Sequence, residues 1–318
     1  MESRRKIVVI LGPTSAGKSA VAIRLAREFN GEVVSVDSRQ IYRGMDVGTG
    51  KVEPDRPGEI PQYFAGRGKF SAGSTPFISN GIKHWMLDIV SPKTIFSAAQ
   101  FKKKADKIIL DIIKREKLPI LCGGTGFWIQ SIVDNVTYPE VKPDWNLRKV
   151  LEKKSVEELF VMLKKLDPKR AENIDAKNPV RLIRAIEICQ TLGQVPKEKS
   201  NPQYQALQIG VSVPKEKLHA KIQKRLDDRW KAGMIKEVQT LHEKGLSWKK
   251  IQSFGLGYFW IPEYLQEKIS LEELYERVYL AEKDYAKRQM TWFQRDKRIL
   301  WLEKYSGMQK EVGKFIKK

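Results

Sequence analysis

The chain has 318 residues, with 59 Lys and Arg against 38 Asp and Glu, which gives a formal net charge of +21. Hydrophobic residues at 41% and charged residues at 31% exclude a disordered chain, and apolar runs such as residues 7–11 are far too short to span a membrane. The basic excess favours a polyanionic partner, nucleic acid above all, although charge alone does not separate RNA from DNA. The charged N-terminus leads straight into an apolar run and shows no signal peptide, so a cytoplasmic protein is expected. Cys122 and Cys189 lie inside apolar segments and read as small buried hydrophobes. His84, His219 and His242 are scattered and suggest no structural metal site.

In chain order, residues 6–11 (KIVVIL) read as a buried parallel strand, followed by a loop and a helix over residues 18–29. A second strand covers 32–36. Residues 44–80 are rich in Gly, Pro and Ser and read as a long, partly mobile loop with room for a local hairpin. A third strand is expected over 85–90 (WMLDIV), a strongly amphipathic helix over 97–117, and a fourth strand over 118–122. Strands alternating with helices predict an α/β fold, a parallel sheet flanked by helices.

Near Thr137 the character changes to helical and charged. Ser155 and Glu158 fit a capping box, Asn178-Pro179 a helix start, and Gly193 a helix end. Residues 207–213 read as a return to the sheet, with helices over 215–244 and 271–295 and a last strand over 298–302. The division expected is a core of residues 1–137 and 202–318, with a small all-helical insertion domain over 138–201.

Gly12-Pro13-Thr14-Ser15-Ala16-Gly17-Lys18-Ser19 matches G-x-x-x-x-G-K-[ST] in full, at a strand-to-helix junction. Glycine lets backbone amides turn onto phosphate oxygens, and the helix N-terminus adds a positive dipole. Lys18 supplies a mobile charge, and the Ser19 hydroxyl is placed for Mg²⁺. On this motif alone the ligand is a nucleotide such as ATP. Asp37, at the end of the second strand, should face the same crevice, where it would hold Mg²⁺, accept a proton or merely cap a helix. Gly123-Gly124-Thr125-Gly126 ends the fourth strand and faces the same way. Asp88 admits two readings, a Mg²⁺ ligand or a buried structural acid. Lys283, Lys287, Arg288 and Arg295 interleave with Tyr285, Trp292 and Phe293; the aromatics read as core and some of the cations as RNA-facing.

Taken together these segments resemble the tRNA dimethylallyltransferases, also called tRNA isopentenyltransferases. The resemblance rests on the P-loop, Asp37-Ser38-x-Gln40-x-Tyr42, Met45-Asp46-Val47-Gly48-Thr49, Leu87-Asp88-Ile89 and Phe96-Ser97-Ala98. It continues through Gly123-Gly124-Thr125-Gly126, Asn178-Pro179-x-Arg181-x-x-Arg184-Ala185-Ile186-Glu187, Gly255-Leu256-Gly257-Tyr258 and Ala286-Lys287-Arg288-Gln289-x-Thr291-Trp292-Phe293. These occur in family order from about residue 6 to 302. The resemblance implies a P-loop NTPase-like fold whose helical insertion embraces the anticodon stem-loop. It also implies transfer of a dimethylallyl group from dimethylallyl diphosphate to the exocyclic amine of the adenosine 3′ to the anticodon.

By the same resemblance Asp37 is the general base, with Lys18 and Thr125 also catalytic, and residues 12–19 bind the diphosphate with Mg²⁺ on Ser19. Ser38, Arg39 and Gln40 hold the flipped base, while Thr125 and Arg148 line the tRNA passage. Arg181, Leu182, Ile183, Arg184, Ala185, Lys283, Lys287 and Arg288 contact tRNA. A monomer suits such an enzyme. The chain departs from the family pattern at Lys83-His84, Phe127-Trp128 and Gln294, and its stretch between Lys51 and His84 is longer than usual. A nucleoside kinase, an adenylate isopentenyltransferase and an RNA-binding NTPase switch are the rivals; the helical insertion, the charge and the Asp37-Ser38 pair weigh against them.

Overall fold

A computed structural model describes residues 5–56, 62–65, 69–196 and 200–317, and backbone alone for 62–65 and 69–75. The described residues fall into two compact units, one from Met1–Asn135 with Pro202–Lys318 and the other from Val136–Asn201. None of the described helices is long and apolar enough to cross a membrane.

The first unit is built on a seven-stranded sheet. Its strands are β1 (Arg5–Leu11), β2 (Gly31–Val36), β5 (Phe77–Ser79), β6 (Ile82–Trp85), β7 (Leu118–Gly123), β8 (Tyr204–Val211) and β9 (Leu300–Leu302), in the order β5-β6-β2-β7-β1-β8-β9. Every pairing is parallel except β5 with β6. Within residues 44–80, β3 (Gln62–Ala65) and β4 (Lys69–Thr75) pair antiparallel apart from this sheet. The described residues of the segment thus include the local hairpin allowed for it, while 57–61 and 66–68 lie outside the described residues. Its end joins the sheet edge, and its beginning, with Met45 fully buried, packs into the core.

Helices α1 (Lys18–Glu28), α2 (Ala98–Lys114) and α3 (Gly126–Val133) follow β1, β6 and β7. Ile7, Val9 and Leu11 alternate with Val8 and Ile10 along β1, and the two sets enter separate apolar clusters on the two sheet faces, all fully buried. Burying each such side chain contributes roughly 1.5–3 kcal/mol, which is why the central strands carry almost nothing but β-branched and aliphatic residues. Ser97 caps α2 with the reciprocal bonds of a capping box with Gln100.

The third expected strand is displaced. Residues 82–85 form β6, whereas Met86 and Asp88 adopt left-handed conformations with φ of 65° and 54°. Asp88 ion-pairs with Lys51, and its N–H donates to the Gln40 carbonyl, while Val90 bridges to Tyr42. The apolar character of 85–90 reflects burial; tertiary bonds, not a strand ladder, set its backbone. Asp88 is thus held by Lys51 and by the 40–43 turn.

The second unit holds α4 (Trp145–Leu151), α5 (Val156–Leu166), α6 (Pro168–Glu172) and α7 (Pro179–Leu192). Ser155 and Asn178 cap α5 and α7, and Gly193 ends α7 at φ 78°. Its core is its own: Leu151, Leu159, Leu163, Leu182 and Ile186 are at most 1% exposed. Back in the first unit come α8 (Lys215–Lys231), α9 (Met234–Glu243), α10 (Trp248–Gln252), α11 (Gly257–Leu265), α12 (Leu271–Phe293) and α13 (Tyr305–Lys317). Of these, α10, α11 and α13 have no counterpart in the sequence reading.

Candidate active site

Three strand ends meet at the carboxyl edge of the sheet. Leu11 of β1 lies level with Gly123 of β7, and Gly123 lies level with Val36 of β2. The loops that leave these strands, 12–17, 37–42 and 124–125, therefore share one crevice. Gly123 has no room for a side chain, since a Cβ would stand 2.0 Å from the Val36 carbonyl oxygen.

The first loop has the geometry that turns amides inward. Gly12, Ser15 and Gly17 have φ of 139°, 61° and 93°, and no side chain caps the N-terminus of α1. The free N–H groups of that first turn, with the helix dipole, suit an anion. Lys18 Nζ donates to the Pro13 carbonyl at 2.7 Å, curling over the loop. Desolvation pushes the Lys18 pKa down to about 8, and Arg225 adds to that push, while Cys122 and Asp37 oppose it. Ser19, beside it, is exposed.

Asp37 leads into a turn that it braces itself, because its Oδ1 accepts from the Arg39 N–H at 2.9 Å and the Gln40 N–H at 3.4 Å. This is the capping role in a turn rather than a helix, and it leaves Oδ2 for other work. Ser38 N–H donates to Thr125 Oγ1 at 3.1 Å, tying the Asp37 loop to the Gly-rich one. Gln40 accepts from Ser35 Oγ and donates to the Thr49 and Gly50 carbonyls, so its amide is engaged within the fold. Arg39 donates to the Phe254 carbonyl at 2.7 Å and lies over the Tyr285 ring. Burial works against the Arg39 charge, but Tyr285, Asp37 and Glu282 outweigh it and hold the guanidinium above its ordinary pKa.

Two helices complete the crevice, with Arg225, Arg229 and Glu282, which the motifs did not single out, and with Gln289, which lies in the 286–293 motif without a role assigned to it. Arg225 of α8 is half-buried; its Nη1 donates to Thr14 Oγ1 at 3.0 Å, and its Nη2 approaches the Thr49 and Gly50 carbonyls at 3.4 and 3.3 Å. Desolvation, then the neighbouring Arg229, lowers its pKa to about 10. Among the described residues it forms no ion pair, so a cation lies against the phosphate-type loop without an anion of its own. Arg229 has one: its Nη1 donates to Glu282 Oε1 at 2.9 Å, both side chains being at most 8% exposed. Deleting either partner would strand a buried charge, a cost of about 3–5 kcal/mol. Gln289 of α12 accepts from the Thr14 N–H at 2.7 Å and donates to the Gly124 carbonyl at 2.9 Å, stitching the two glycine-rich loops together.

Signals for these residues were present. Arg229 falls on the apolar stripe of α8 with Leu218, Ile222 and Leu226. Glu282 and Gln289 fall on that of α12 with Leu274, Val278, Ala286 and Phe293. A polar residue at a buried position of a helical period needs a partner. On α12 the outward residues include Lys287 and Arg288, both exposed, with Lys283 half-exposed; Phe293 is core, as the periodicity indicates.

The residues assigned to the second unit divide differently from expectation. Leu182, Ile183 and Ala185 are 0%, 7% and 4% exposed and form its core, so their side chains are not available to an RNA. Arg148 and Arg184 both pair with Glu187, which is 1% exposed and also accepts the Asp144 N–H at 2.6 Å. They brace α4 and the segment at Val141 against α7, which leaves Arg181 as the exposed cation of that helix.

The profile of the family described as IPP transferase matches residues 40–296, and that described as Isopentenyl transferase matches residues 5–63. The tRNA dimethylallyltransferase of Acetivibrio thermocellus is 38% identical over 308 residues, covering 94% of this chain and 91% of the relative. That of Bacillus mycoides is 36% identical, covering 96% and 92%. Among solved structures, the tRNA isopentenylpyrophosphate transferase of Bacillus halodurans superposes with a TM-score of 0.67 at 31% identity, over 98% of this chain and 96% of that one. A eukaryotic dimethylallyltransferase acting on tRNA gives a TM-score of 0.76 at 25% identity, over 94% and 74%.

Proposed function

The chain belongs to the IPP transferase family, and from that premise we propose that it transfers a dimethylallyl group from dimethylallyl diphosphate to the exocyclic amine of the adenosine 3′ to a tRNA anticodon. The observation that carries the donor side is the Arg225 guanidinium lying with Lys18 against the 12–17 loop, two cations that form no ion pair among the described residues. In the reaction the adenine nitrogen forms a bond to the first carbon of the dimethylallyl group as the bond from that carbon to the diphosphate oxygen breaks. The electron pair of the broken bond leaves with the diphosphate, and the nitrogen's proton goes to Asp37.

The residues suit those tasks. Negative charge grows on the departing diphosphate, where preorganised loop amides, Lys18 and Arg225 stabilise it best. Asp37 ends the neighbouring strand, braced through Oδ1, and among the described residues its Oδ2 has no hydrogen-bond partner. An adenine amine is a poor nucleophile, so its proton must be taken as the bond forms, and placement matters more than basicity. Adenosine reaches such a recess only unstacked, which suits a single-stranded loop. The exposed Arg181, Lys287 and Arg288 suit a phosphate backbone. Mg²⁺ is commonly carried by substrate phosphates with only one or two protein ligands, and the hydroxyl of Ser19, an exposed residue in the first turn of α1, suits that demand. Bound there, the ion would neutralise charge on the diphosphate.

Incubation of the purified chain with Mg²⁺, dimethylallyl diphosphate and unmodified tRNA is expected to yield a prenylated adenosine on digestion and mass spectrometry. Prenylation of AMP alone, or phosphate transfer from ATP, would refute the assignment.

Lys18 makes the donor step sensitive to pH. Its charge is intact below a pKa of about 8 and is lost as the pH rises through that value. Above about pH 8, kcat/KM for dimethylallyl diphosphate should therefore fall, approaching tenfold per pH unit. At saturating donor the bound diphosphate holds the proton on Lys18, so kcat should fall later. Lys18→Arg should remove the inflection; a flat wild-type profile from about pH 7 to about 9.5 would exclude Lys18 as the charge that captures the donor.

A further inference from the structure

The short turn at 46–50 is held from behind by a single side chain. Glu237 of α9 accepts from the N–H groups of Asp46, Val47 and Gly48 at 2.6, 2.7 and 3.0 Å, and from the Tyr258 hydroxyl at 2.7 Å. Successive backbone amides converging in this way form an anion nest, here filled by the protein's own carboxylate. Such charge-assisted bonds are roughly twice as strong as neutral ones. The turn is closed by Thr49 Oγ1 on the Met45 carbonyl at 2.6 Å and Gly50 N–H on the Val47 carbonyl at 3.0 Å.

The front of the same turn faces the donor site. Its Thr49 and Gly50 carbonyls take Arg225 Nη2 on one side and Gln40 Nε2 on the other. Gly50 has φ of 59°, and a Cβ there would lie 2.0 Å from Arg225 Nη2. A guanidinium has five N–H donors in a rigid fork. With Nη2 held by the turn and Nη1 by Thr14, its remaining donors are fixed in direction.

We infer that Glu237 is a positioning residue for diphosphate capture: it locks the 46–50 turn, whose carbonyls aim the Arg225 fork at the P-loop. This rests on the donor site proposed above. Glu237 touches no substrate and acts only through the turn and Arg225. Its neutral replacement should leave the tRNA-facing helices untouched while loosening a cation that forms no ion pair among the described residues.

The test is calorimetric titration of the full chain with inorganic diphosphate in Mg²⁺. Glu237→Gln should weaken diphosphate binding by about tenfold, the worth of one charge-assisted hydrogen bond. In an Arg225→Ala background the same change should cost less than about twofold, because its effect passes through that side chain. Binding of an anticodon stem-loop should stay within about twofold of wild type. Gly50→Ala, which displaces Nη2 from the other side, should match the loss in Glu237→Gln and serves if that variant does not fold. Unchanged affinity in both variants, or a Glu237→Gln loss that simply adds to that of Arg225→Ala, would overturn the inference. Failure of the wild type to bind diphosphate would instead overturn the donor site itself.

Discussion

Asp37→Asn should lower kcat by about 10²–10⁴-fold, the range for loss of a positioned general base, with tRNA affinity changed by less than about threefold. The variant separates the turn brace made by Oδ1 from the proton acceptance proposed for the same carboxylate. Oδ1 accepts the Arg39 and Gln40 amides, and an asparagine oxygen can do the same. An asparagine cannot take up a proton near neutral pH. Turnover should collapse while the melting temperature stays close to wild type. Asp37→Ala should lose the turn brace as well, at an added cost to stability of about 1 kcal/mol. Single-turnover assays at saturating tRNA, with filter binding and thermal melting, distinguish these outcomes. Equal losses of binding and turnover in Asp37→Asn would leave Asp37 a structural residue.

Arg225→Ala should reduce kcat/KM for dimethylallyl diphosphate by about 10²–10³-fold, as expected for a preorganised donor aimed at developing charge. At a pKa of about 10 the guanidinium is still protonated near neutrality, so its charge is available in spite of desolvation. Lysine restores charge but not the fork that spans Thr14 and the two carbonyls, so Arg225→Lys should stay about tenfold below wild type. The KM for tRNA should not move. Steady-state kinetics with each substrate varied in turn checks this, and a loss confined to tRNA would move Arg225 out of the donor site.

The two residues differ in how they could be read from sequence. The P-loop and Asp37 were legible because strand, loop and helix are contiguous, so local spacing already places them at one sheet edge. Arg225 stands 211 residues from the Thr14 it touches, on a helix whose many Lys and Arg look alike. Only Arg229, Glu282 and Gln289 betrayed themselves, as polar residues on apolar stripes. Glu237 gave no sign, since its partners are backbone amides, which sequence does not distinguish. The 85–90 segment misled for a related reason. Its hydrophobicity reports burial, and the left-handed turns at Met86 and Asp88 come from Lys51 and the 40–43 turn, contacts that no local period encodes. In the second unit the buried Leu182, Ile183 and Ala185 were grouped with their exposed neighbour Arg181, because a contiguous motif takes no account of which face of α7 each residue occupies.

Gln289 sets the capacity of the P-loop. A peptide N–H has a single proton to give, and that of Thr14 is already committed to the Gln289 oxygen. The loop thus offers an incoming anion one donor fewer than its length would supply. For the diphosphate proposed above, the Arg225 guanidinium, which enters from another helix and already reaches Thr14, would supply donors in place of the one that Gln289 withholds.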